Sequence, residues 1–272
     1  MRKSDEQATF DRISKKYQLG QSEVMRRVER SVCGCDYGAT SWTTADEARG
    51  VGEMLSLEPG KRLLDIGSGT GWPGVYLAKQ TGCDVTLTDL HPVGLRIAID
   101  RAAADGVAGR CSAVVADGAT LPFRSAGFDA IHHADVLCCL LEKPAVLDSC
   151  RGIIRDDGKM VFSVIFISPD LTPTDHARAI AGGPPFVDAE IPYPEMLRQT
   201  GWQITEHSDM TATYRLSVSR QLDKLEIHAD EITVLFGEAD AASEMARRRA
   251  TLEALDLGLL RRELFSVVPI VA

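Results

Sequence analysis

The stretch Leu63-Leu64-Asp65-Ile66-Gly67-Ser68-Gly69-Thr70-Gly71 decides the fold. A short apolar run of strand character leads directly into a turn with glycines at three alternate positions. Glycine tolerates positive φ and lets a ligand come close to the backbone. The following segment, 72–80, is predicted to be a helix with Pro73 in its first turn, and such a helix offers free N–H groups to a ligand. The pattern therefore predicts a buried strand, a ligand-binding turn and a helix.

Apolar strands alternate with helices on the carboxyl side of this turn. The predicted strands cover 62–66, 84–88, 111–115, 128–134 and 160–167, and the predicted helices cover 72–80, 91–106 and 143–154. Alternation of this kind is typical of an α/β fold with a mostly parallel sheet covered on both faces.

Two carboxylates follow the next two strands. Asp89 ends the second strand, about 20 residues after the turn, where a carboxylate can bind ribose hydroxyls. Asp117 and Gly118 follow the third strand, where a carboxylate can accept a hydrogen bond from an adenine amino group. Because the carboxyl ends of parallel strands are where open α/β sheets bind ligands, we predict a nucleotide-like cofactor at this edge.

The spacing of the glycines separates two cofactor families. A dinucleotide-binding turn would have its third glycine at the position of Trp72, whereas the third glycine is Gly71. The tighter spacing resembles the first motif of the class I S-adenosylmethionine-dependent methyltransferases. The resemblance covers about residues 60–165 and implies that S-adenosylmethionine is the cofactor. The cofactor-binding residues that it implies are Asp65, Gly67, Ser68, Gly69, Gly71, Asp89, Leu90, Asp117, Gly118 and His133.

The resemblance also implies the architecture of the whole chain. It predicts a Rossmann-like seven-stranded mixed sheet with helices on both faces, in which the final strand inserts antiparallel. Residues 1–58 are predicted as an N-terminal helical cover, 59–167 as the cofactor-binding core, and 168–272 as a C-terminal part with lid helices and closing strands. Within that part, 168–192 is predicted as an extended loop and 217–259 as mainly helical. We expect these parts to form a single domain.

The end of the fourth strand supplies the candidate catalytic residues. His132 and His133 are predicted to point to opposite faces of the sheet, and we select His133 as the candidate base or substrate-orienting group. Asp135 follows where the chain leaves the sheet, and either a catalytic role or a helix cap fits its position. This segment resembles small-molecule methyltransferases that act on glycine, sarcosine, phosphoethanolamine or isoprenoids, although Asp135 alone matches their usual pattern.

Five further side chains are candidates for binding the substrate. Aromatic faces favour sulfonium and ammonium cations, and arginine pairs with a carboxylate in a bidentate manner. The candidates are Tyr17, Tyr37, Trp42, Tyr214 and Arg215.

The predicted function is therefore methylation of a small molecule with S-adenosylmethionine. N-methylation of an amine is the first choice. An amine needs only to be deprotonated, whereas a hydroxyl or carbon acceptor more often needs a base, so the lack of a recognisable catalytic triad does not count against a methyltransferase. Alternatives are C- or O-methylation of a prenyl, polyketide-like or other natural-product acceptor. A non-catalytic S-adenosylmethionine-binding protein and an NAD-dependent oxidoreductase also stay open.

Composition limits the other partners. The 272 residues carry a formal net charge of −9, which disfavours nucleic-acid binding. The sequence shows no metal-ligand spacing, no signal peptide and no apolar run of membrane-spanning length. The seven cysteines do not form a secreted disulfide pattern. These features predict a cytoplasmic enzyme with no metal-ligating residues and no membrane partner, whereas an assisting metal and a homodimer are left open.

Overall fold

The computed structural model describes residues 2–38 and 41–271. These residues contain one mixed β-sheet of seven strands. Its strands are β1 (Arg62–Ile66), β2 (Asp84–Asp89), β3 (Cys111–Val115), β4 (Phe128–Ala134), β5 (Ile154–Ile167), β6 (Trp202–Asp209) and β7 (Leu260–Pro269). Their order is β3-β2-β1-β4-β5-β7-β6. The pairs among β1 to β5 are parallel, and β7 is antiparallel to both β5 and β6. The predicted seven-stranded mixed sheet and its antiparallel final strand are confirmed.

Helices precede, connect and follow these strands. They are α1 (Arg2–Gly20), α2 (Glu23–Cys33), α3 (Ala45–Met54), α4 (Gly74–Thr81), α5 (Pro92–Ala104), α6 (Lys143–Ile153), α7 (Pro173–Gly182), α8 (Tyr193–Gln199), α9 (Thr211–Ile227), α10 (Ala229–Phe236) and α11 (Glu238–Asp256). Helix α1 packs on α5, and α2 packs on α9. The N-terminal helices therefore contact both the core and the C-terminal part.

Alternation along the strands gives the sheet two apolar faces, because successive side chains of a strand point to opposite sides. Leu64, Ile131 and Phe162 belong to the core on one face. Leu63, Leu87 and Val161 belong to the core on the other face. Burial on both faces explains why these strands have nearly continuous apolar sequences.

Helix α3 begins at a capping box. The Thr44 hydroxyl accepts a hydrogen bond from the Glu47 amide at 3.2 Å, and the Thr44 amide donates to the Glu47 carboxylate at 3.1 Å. This exchange satisfies two amides that the first helical turn leaves without partners. The capping box also fixes the position of the Glu47 carboxylate at the start of α3.

The prediction of an extended loop over 168–192 was wrong, because α7 lies inside it. The Thr172 hydroxyl accepts from the Asp175 amide at 3.2 Å, and Pro173 occupies the first turn. A hydroxyl cap followed by proline is a helix-start signal, and the surrounding prolines and glycines obscured it. Helix α7 then packs on α11.

No helix within residues 2–38 and 41–271 is both long and apolar enough to cross a bilayer.

Candidate active site

A cavity of about 970 Å³ opens at the carboxyl ends of β1, β2, β3 and β4. Its volume is at the upper end of the usual range for ligand pockets. The predicted cofactor residues that line it are Asp65, Gly67, Ser68, Gly69, Asp89, Leu90, Asp117 and Gly118. The structure therefore brings these eight residues to one site, as the carboxyl-end rule for parallel sheets requires.

The Asp65 side chain stabilises the glycine turn through contacts with the start of α4 and with β4. Its carboxylate accepts from the Gly74 amide at 3.1 Å and lies 2.8 Å from Nδ1 of His132. The parallel register of β1 and β4 places Asp65 directly beside His132. A Cβ atom at Gly74 would lie only 2.5 Å from the Asp65 carboxylate, so that position needs glycine. Asp65 thus links the turn, the start of α4 and β4.

Asp89, at the end of β2, is buried and stabilises the glycine turn by hydrogen bonding. Its carboxylate accepts from the Gly69 amide at 2.9 Å and from the His91 amide at 2.8 Å. The Tyr17 hydroxyl donates to it at 3.3 Å. Burial raises the pKa of Asp89, and the amides of His91 and Gly69 partly offset this effect. The carboxylate therefore meets the cavity already ordered by backbone donors, which is the preorganisation that a ligand site needs.

Tyr17 and Gly71 both lie at the glycine turn. Tyr17, which was predicted to bind the substrate, lines the cavity with its ring against Gly69 and its hydroxyl donating to Asp89, so it lies next to residues predicted to bind the cofactor. Gly71 was predicted to contact the cofactor but does not line the cavity. Its φ of 99° and the 2.8 Å that would separate a Cβ from Val75 show that it shapes the turn instead.

Asp117 lies at the start of the short turn that follows β3. Its side chain accepts from the Ala119 amide at 2.9 Å and so begins a short turn after β3. The residue lines the same cavity as Asp89. Two carboxylates from neighbouring strands thus face one ligand-sized space beside the glycine turn.

His133 does not line the cavity, which corrects its selection as a catalytic and cofactor-binding residue. Alternation along β4 places His132 at the cavity and buries His133 on the other face. Its ring stacks on Phe162 with a centroid distance of 4.6 Å, and neither ring nitrogen has a hydrogen-bond partner. Burial lowers the pKa of His133 to about 3, so the native ring is neutral. His133 therefore belongs to the packed core.

We expect His133→Phe to raise the free energy of unfolding by about 1 kcal/mol at pH 7, because it removes two buried polar atoms without partners. The gain should grow on acidification. The unfolded ring takes up a proton near pH 6.5 but the native ring only near pH 3, so His133 destabilises the wild type progressively between those values, by up to about 1.4 kcal/mol per pH unit.

Urea unfolding of both proteins from pH 7 to pH 4 measures this difference. His132→Phe is the matched control on the opposite face, and it should lower stability because Asp65 loses its partner. A His133→Phe protein that is less stable than the wild type at pH 4 would contradict the core assignment.

Asp135 lines the cavity but its carboxylate is already paired. The guanidinium of Arg262 donates to both carboxylate oxygens at 3.0 and 3.1 Å, and the Ser163 hydroxyl donates at 3.1 Å. Arg262 is buried and also donates to Glu47 at 3.1 and 3.2 Å. Asp135 itself has a φ of 54°, a left-handed conformation at the point where the chain leaves β4. These contacts suit a positioning role better than proton transfer.

A further part of the cavity wall is called the acceptor side. It consists of Trp42, residues 136 and 138–142 after β4, Ile165, the segment 184–186, and three basic residues, Arg12, Lys16 and Arg247. Apart from the basic residues and Glu142, this part of the wall is mainly apolar. Trp42 thus lines the cavity, and its contact with a substrate stays a prediction.

Three predicted substrate residues do not line the cavity. Tyr37 is buried, and its hydroxyl donates to Asp105 at 2.9 Å. Tyr214 is buried next to Trp42, and the centroids of the two rings are 5.1 Å apart. Arg215 is half exposed and pairs with Asp256 within the C-terminal part. These positions correct the prediction that the three side chains contact the substrate.

The structure also adds residues that the sequence analysis did not select. His91 follows Asp89 and packs on Phe10 at 4.3 Å, and Lys16 and Arg247 come from segments far apart in sequence. His132 could have been found by assuming that it lies beside Asp65 in the parallel sheet. No local sequence pattern predicts that Lys16 of α1 contacts Glu244 of α11. Among the described residues, no three or more His, Cys, Asp or Glu side chains form a group that could hold a metal ion.

Comparisons with known proteins agree with this geometry. A protein-family model described as "Methyltransferase domain" matches residues 64–162. Phosphoethanolamine N-methyltransferase 1 of Zea mays is 27% identical over 231 residues, which is 84% of this chain but 45% of that protein. The chain thus spans about half the length of that relative.

Two solved structures show the same fold. Phosphoethanolamine N-methyltransferase 2 of Haemonchus contortus, in complex with phosphomonomethylethanolamine and S-adenosylhomocysteine, superposes with a TM-score of 0.75 at 16% identity, covering 90% of this chain and 57% of that one. The [4+2]-cyclase SpnF superposes with a TM-score of 0.72 at 21% identity, covering 92% and 93%. Residues 64–162 therefore resemble a methyltransferase domain, and the chain has the Rossmann-like fold of these solved structures, as its glycine spacing predicted.

Proposed function

We propose that this protein binds S-adenosylmethionine and transfers its methyl group to a small molecule. The observation that carries the proposal is the joint placement of the glycine turn, Asp89 and Asp117 on one cavity, which Trp42 and the loop after β4 also line. The methyltransferase-domain match and the named relatives support it. Because a cyclase has the same fold, fold alone does not decide the reaction.

The residues present fit the cofactor. The buried Asp89 carboxylate and the accessible Asp117 carboxylate are acceptors suited to ribose hydroxyls and an adenine amino group, with Leu90 and Gly118 beside them. Gly67, Ser68 and Gly69 would hold the methionine end, while Asp65 supports their turn. When bound, the cofactor supplies an electrophilic methyl group on a sulfonium.

The chain's own contribution is to orient the acceptor and exclude water. The acidic and imidazole groups closest to the end of β4 are occupied, since Asp135 is paired with Arg262 and His132 with Asp65. An acceptor whose lone pair is free after ordinary deprotonation suits this arrangement. N-methylation of an amine is therefore the first proposal for the atom that is methylated.

O- or C-methylation of a natural-product acceptor is the second candidate, and two observations favour it. The acceptor side presents apolar surface from Trp42, Leu140 and Phe186. Lys16 also lines the cavity, and burial lowers its pKa to about 8, with Arg248 and Arg247 lowering it further and Glu244 opposing. A lysine with such a pKa can serve as a general base near neutral pH.

Thermal unfolding with S-adenosylhomocysteine tests the proposal, with NADH as the control nucleotide. A ligand at about 100 times its Kd adds roughly 2.7 kcal/mol of stability, so Tm should rise by several degrees with S-adenosylhomocysteine. NADH should leave Tm unchanged, because the glycine spacing does not fit a dinucleotide. A rise with NADH alone would contradict the methyltransferase proposal and favour an oxidoreductase.

The single-domain boundaries, the cytoplasmic location and the homodimer stay predictions from the sequence. The free thiols of Cys83 and Cys150, both buried, suit a reducing compartment.

A further inference from the structure

A cluster of basic side chains forms part of the acceptor side. Lys16 from α1 and Arg247 from α11 line the cavity, and Arg248 packs behind them. All three bind one carboxylate. Glu244 accepts from Lys16 at 2.9 Å and from Arg248 at 2.6 Å, and it also pairs with Arg247. Lys16, Glu244, Arg247 and Arg248 are called the basic cluster below.

The basic cluster has more positive than negative charge. Although burial opposes it, the charges of Arg248, Lys16 and Arg247 lower the pKa of Glu244 to about 2. The carboxylate is thus fully ionised and still leaves an excess of cations in a partly buried place. Buried charges are normally paired, so the cluster has the electrostatics of a site that accepts a second anion from the cavity.

The neighbours of the basic cluster belong to the acceptor side. The Arg248 guanidinium lies 5.0 Å from the centre of the Trp42 ring. Arg12, one helical turn before Lys16, lines the same cavity as Cys139 and Leu140 of the loop after β4. The anion site is therefore next to apolar surface from Trp42 and the loop rather than being an isolated surface patch.

We infer that the methyl acceptor carries an anionic group, a carboxylate or a phosphate, that binds Lys16 and Arg247 while an apolar part of the molecule packs on Trp42. This inference rests on the proposed function. The planar guanidinium of Arg247 can bind either group with two parallel hydrogen bonds, and Lys16 adds a point charge. Recognition of this kind selects amphiphilic acids over neutral acceptors.

Binding of simple anions to the protein saturated with S-adenosylhomocysteine tests the inference. Acetate and inorganic phosphate are the two probes, and titration calorimetry gives their Kd values. At least one probe should bind the wild type, and the tighter one indicates whether the acceptor is a carboxylate or a phosphate. Arg247→Met should weaken that probe at least tenfold, because a charge-assisted hydrogen bond is lost.

Arg249→Met is the matched control, since Arg249 lies two residues further on α11 and pairs with Glu226 instead of lining the cavity. It should change the Kd of the probe less than twofold. Lys16→Met provides a second variant on a different helix and should also weaken the probe, which keeps the test valid if Arg247→Met fails to fold.

Three results would overturn the inference. Binding of S-adenosylhomocysteine without binding of either anion would remove the anion site and leave the proposed function intact. Competition between the anion and S-adenosylhomocysteine would assign the cluster to the carboxylate of the cofactor. Equal losses in Arg247→Met and Arg249→Met would show a general charge effect. Failure of S-adenosylhomocysteine to bind at all would instead contradict the proposed function, and the inference with it.

Discussion

Replacing Arg262 with methionine should lower the free energy of unfolding by about 3–5 kcal/mol, because the change leaves the carboxylates of Asp135 and Glu47, whose side chains are only 10% and 7% exposed, without their cation. The Arg262 guanidinium donates to Asp135, Glu47 and Ser163 and is almost fully buried. It joins β7, the end of β4 and the first turn of α3. One side chain thus connects the N-terminal cover, the core and the closing strand.

Urea unfolding of the variant measures this loss, and the adjacent Arg261 provides the control. Arg261 is largely exposed and lies 3.8 Å from Asp209 and 3.7 Å from Glu263. An exposed ion pair contributes little, so Arg261→Met should stay within about 0.5 kcal/mol of the wild type. Similar losses in the two variants would contradict the view that burial makes Arg262 important.

A combined variant separates lost charge pairing from lost packing. Adding Asp135→Asn and Glu47→Gln to Arg262→Met removes the two unpaired charges while keeping similar side-chain volumes. Part of the stability should return, because the cost of a broken buried ion pair is mainly the charge that it leaves behind. No recovery would instead assign the loss to packing of the Arg262 side chain.

The core of the fold could be predicted because its signals are local. The strand, glycine turn and helix at 62–81 occupy one short segment, and the acids that follow β2 and β3 lie at fixed places after apolar runs. The segment 168–192 was mispredicted for the opposite reason. Its Thr172-Pro173 helix start is local too, but prolines and glycines on both sides favoured a loop.

The acceptor side could not be predicted because distant contacts form it. Asp135 and Arg262 are separated by 127 residues along the chain, and Lys16 and Glu244 by 228. Strand periodicity showed that His132 and His133 point to opposite faces of the sheet. Which of the two lines the cavity depends on the register between β1 and β4, which pairs His132 with Asp65. Neither polarity nor aromatic character distinguished Trp42, which lines the cavity, from Tyr214 behind it.

We expect Asp89→Ala to weaken binding of S-adenosylhomocysteine by about 2–4 kcal/mol, roughly 30- to 1000-fold in Kd. The variant would lose the proposed ribose acceptor. It would also leave the Gly69 and His91 amides without their buried partner, so the glycine turn would lose its preorganised shape. Titration calorimetry measures the affinity directly.

Asp129→Ala separates this effect from general destabilisation. Asp129 also accepts from a backbone amide, that of Arg62 at 2.9 Å, but at the other end of β1 and β4. Its loss should reduce stability and leave the affinity for S-adenosylhomocysteine unchanged. An unchanged affinity in Asp89→Ala, by contrast, would remove the ribose role from Asp89.

Asp89→Asn should be nearly as damaging as Asp89→Ala, although asparagine is similar in size and shape. One oxygen of the Asp89 carboxylate accepts from Gly69 and the other from His91. An asparagine amide has one accepting oxygen, so its NH₂ group must face one of these two donors. The site therefore requires a carboxylate before any cofactor arrives. If Asp89→Asn bound S-adenosylhomocysteine like the wild type, the two amide contacts would have no part in shaping the turn.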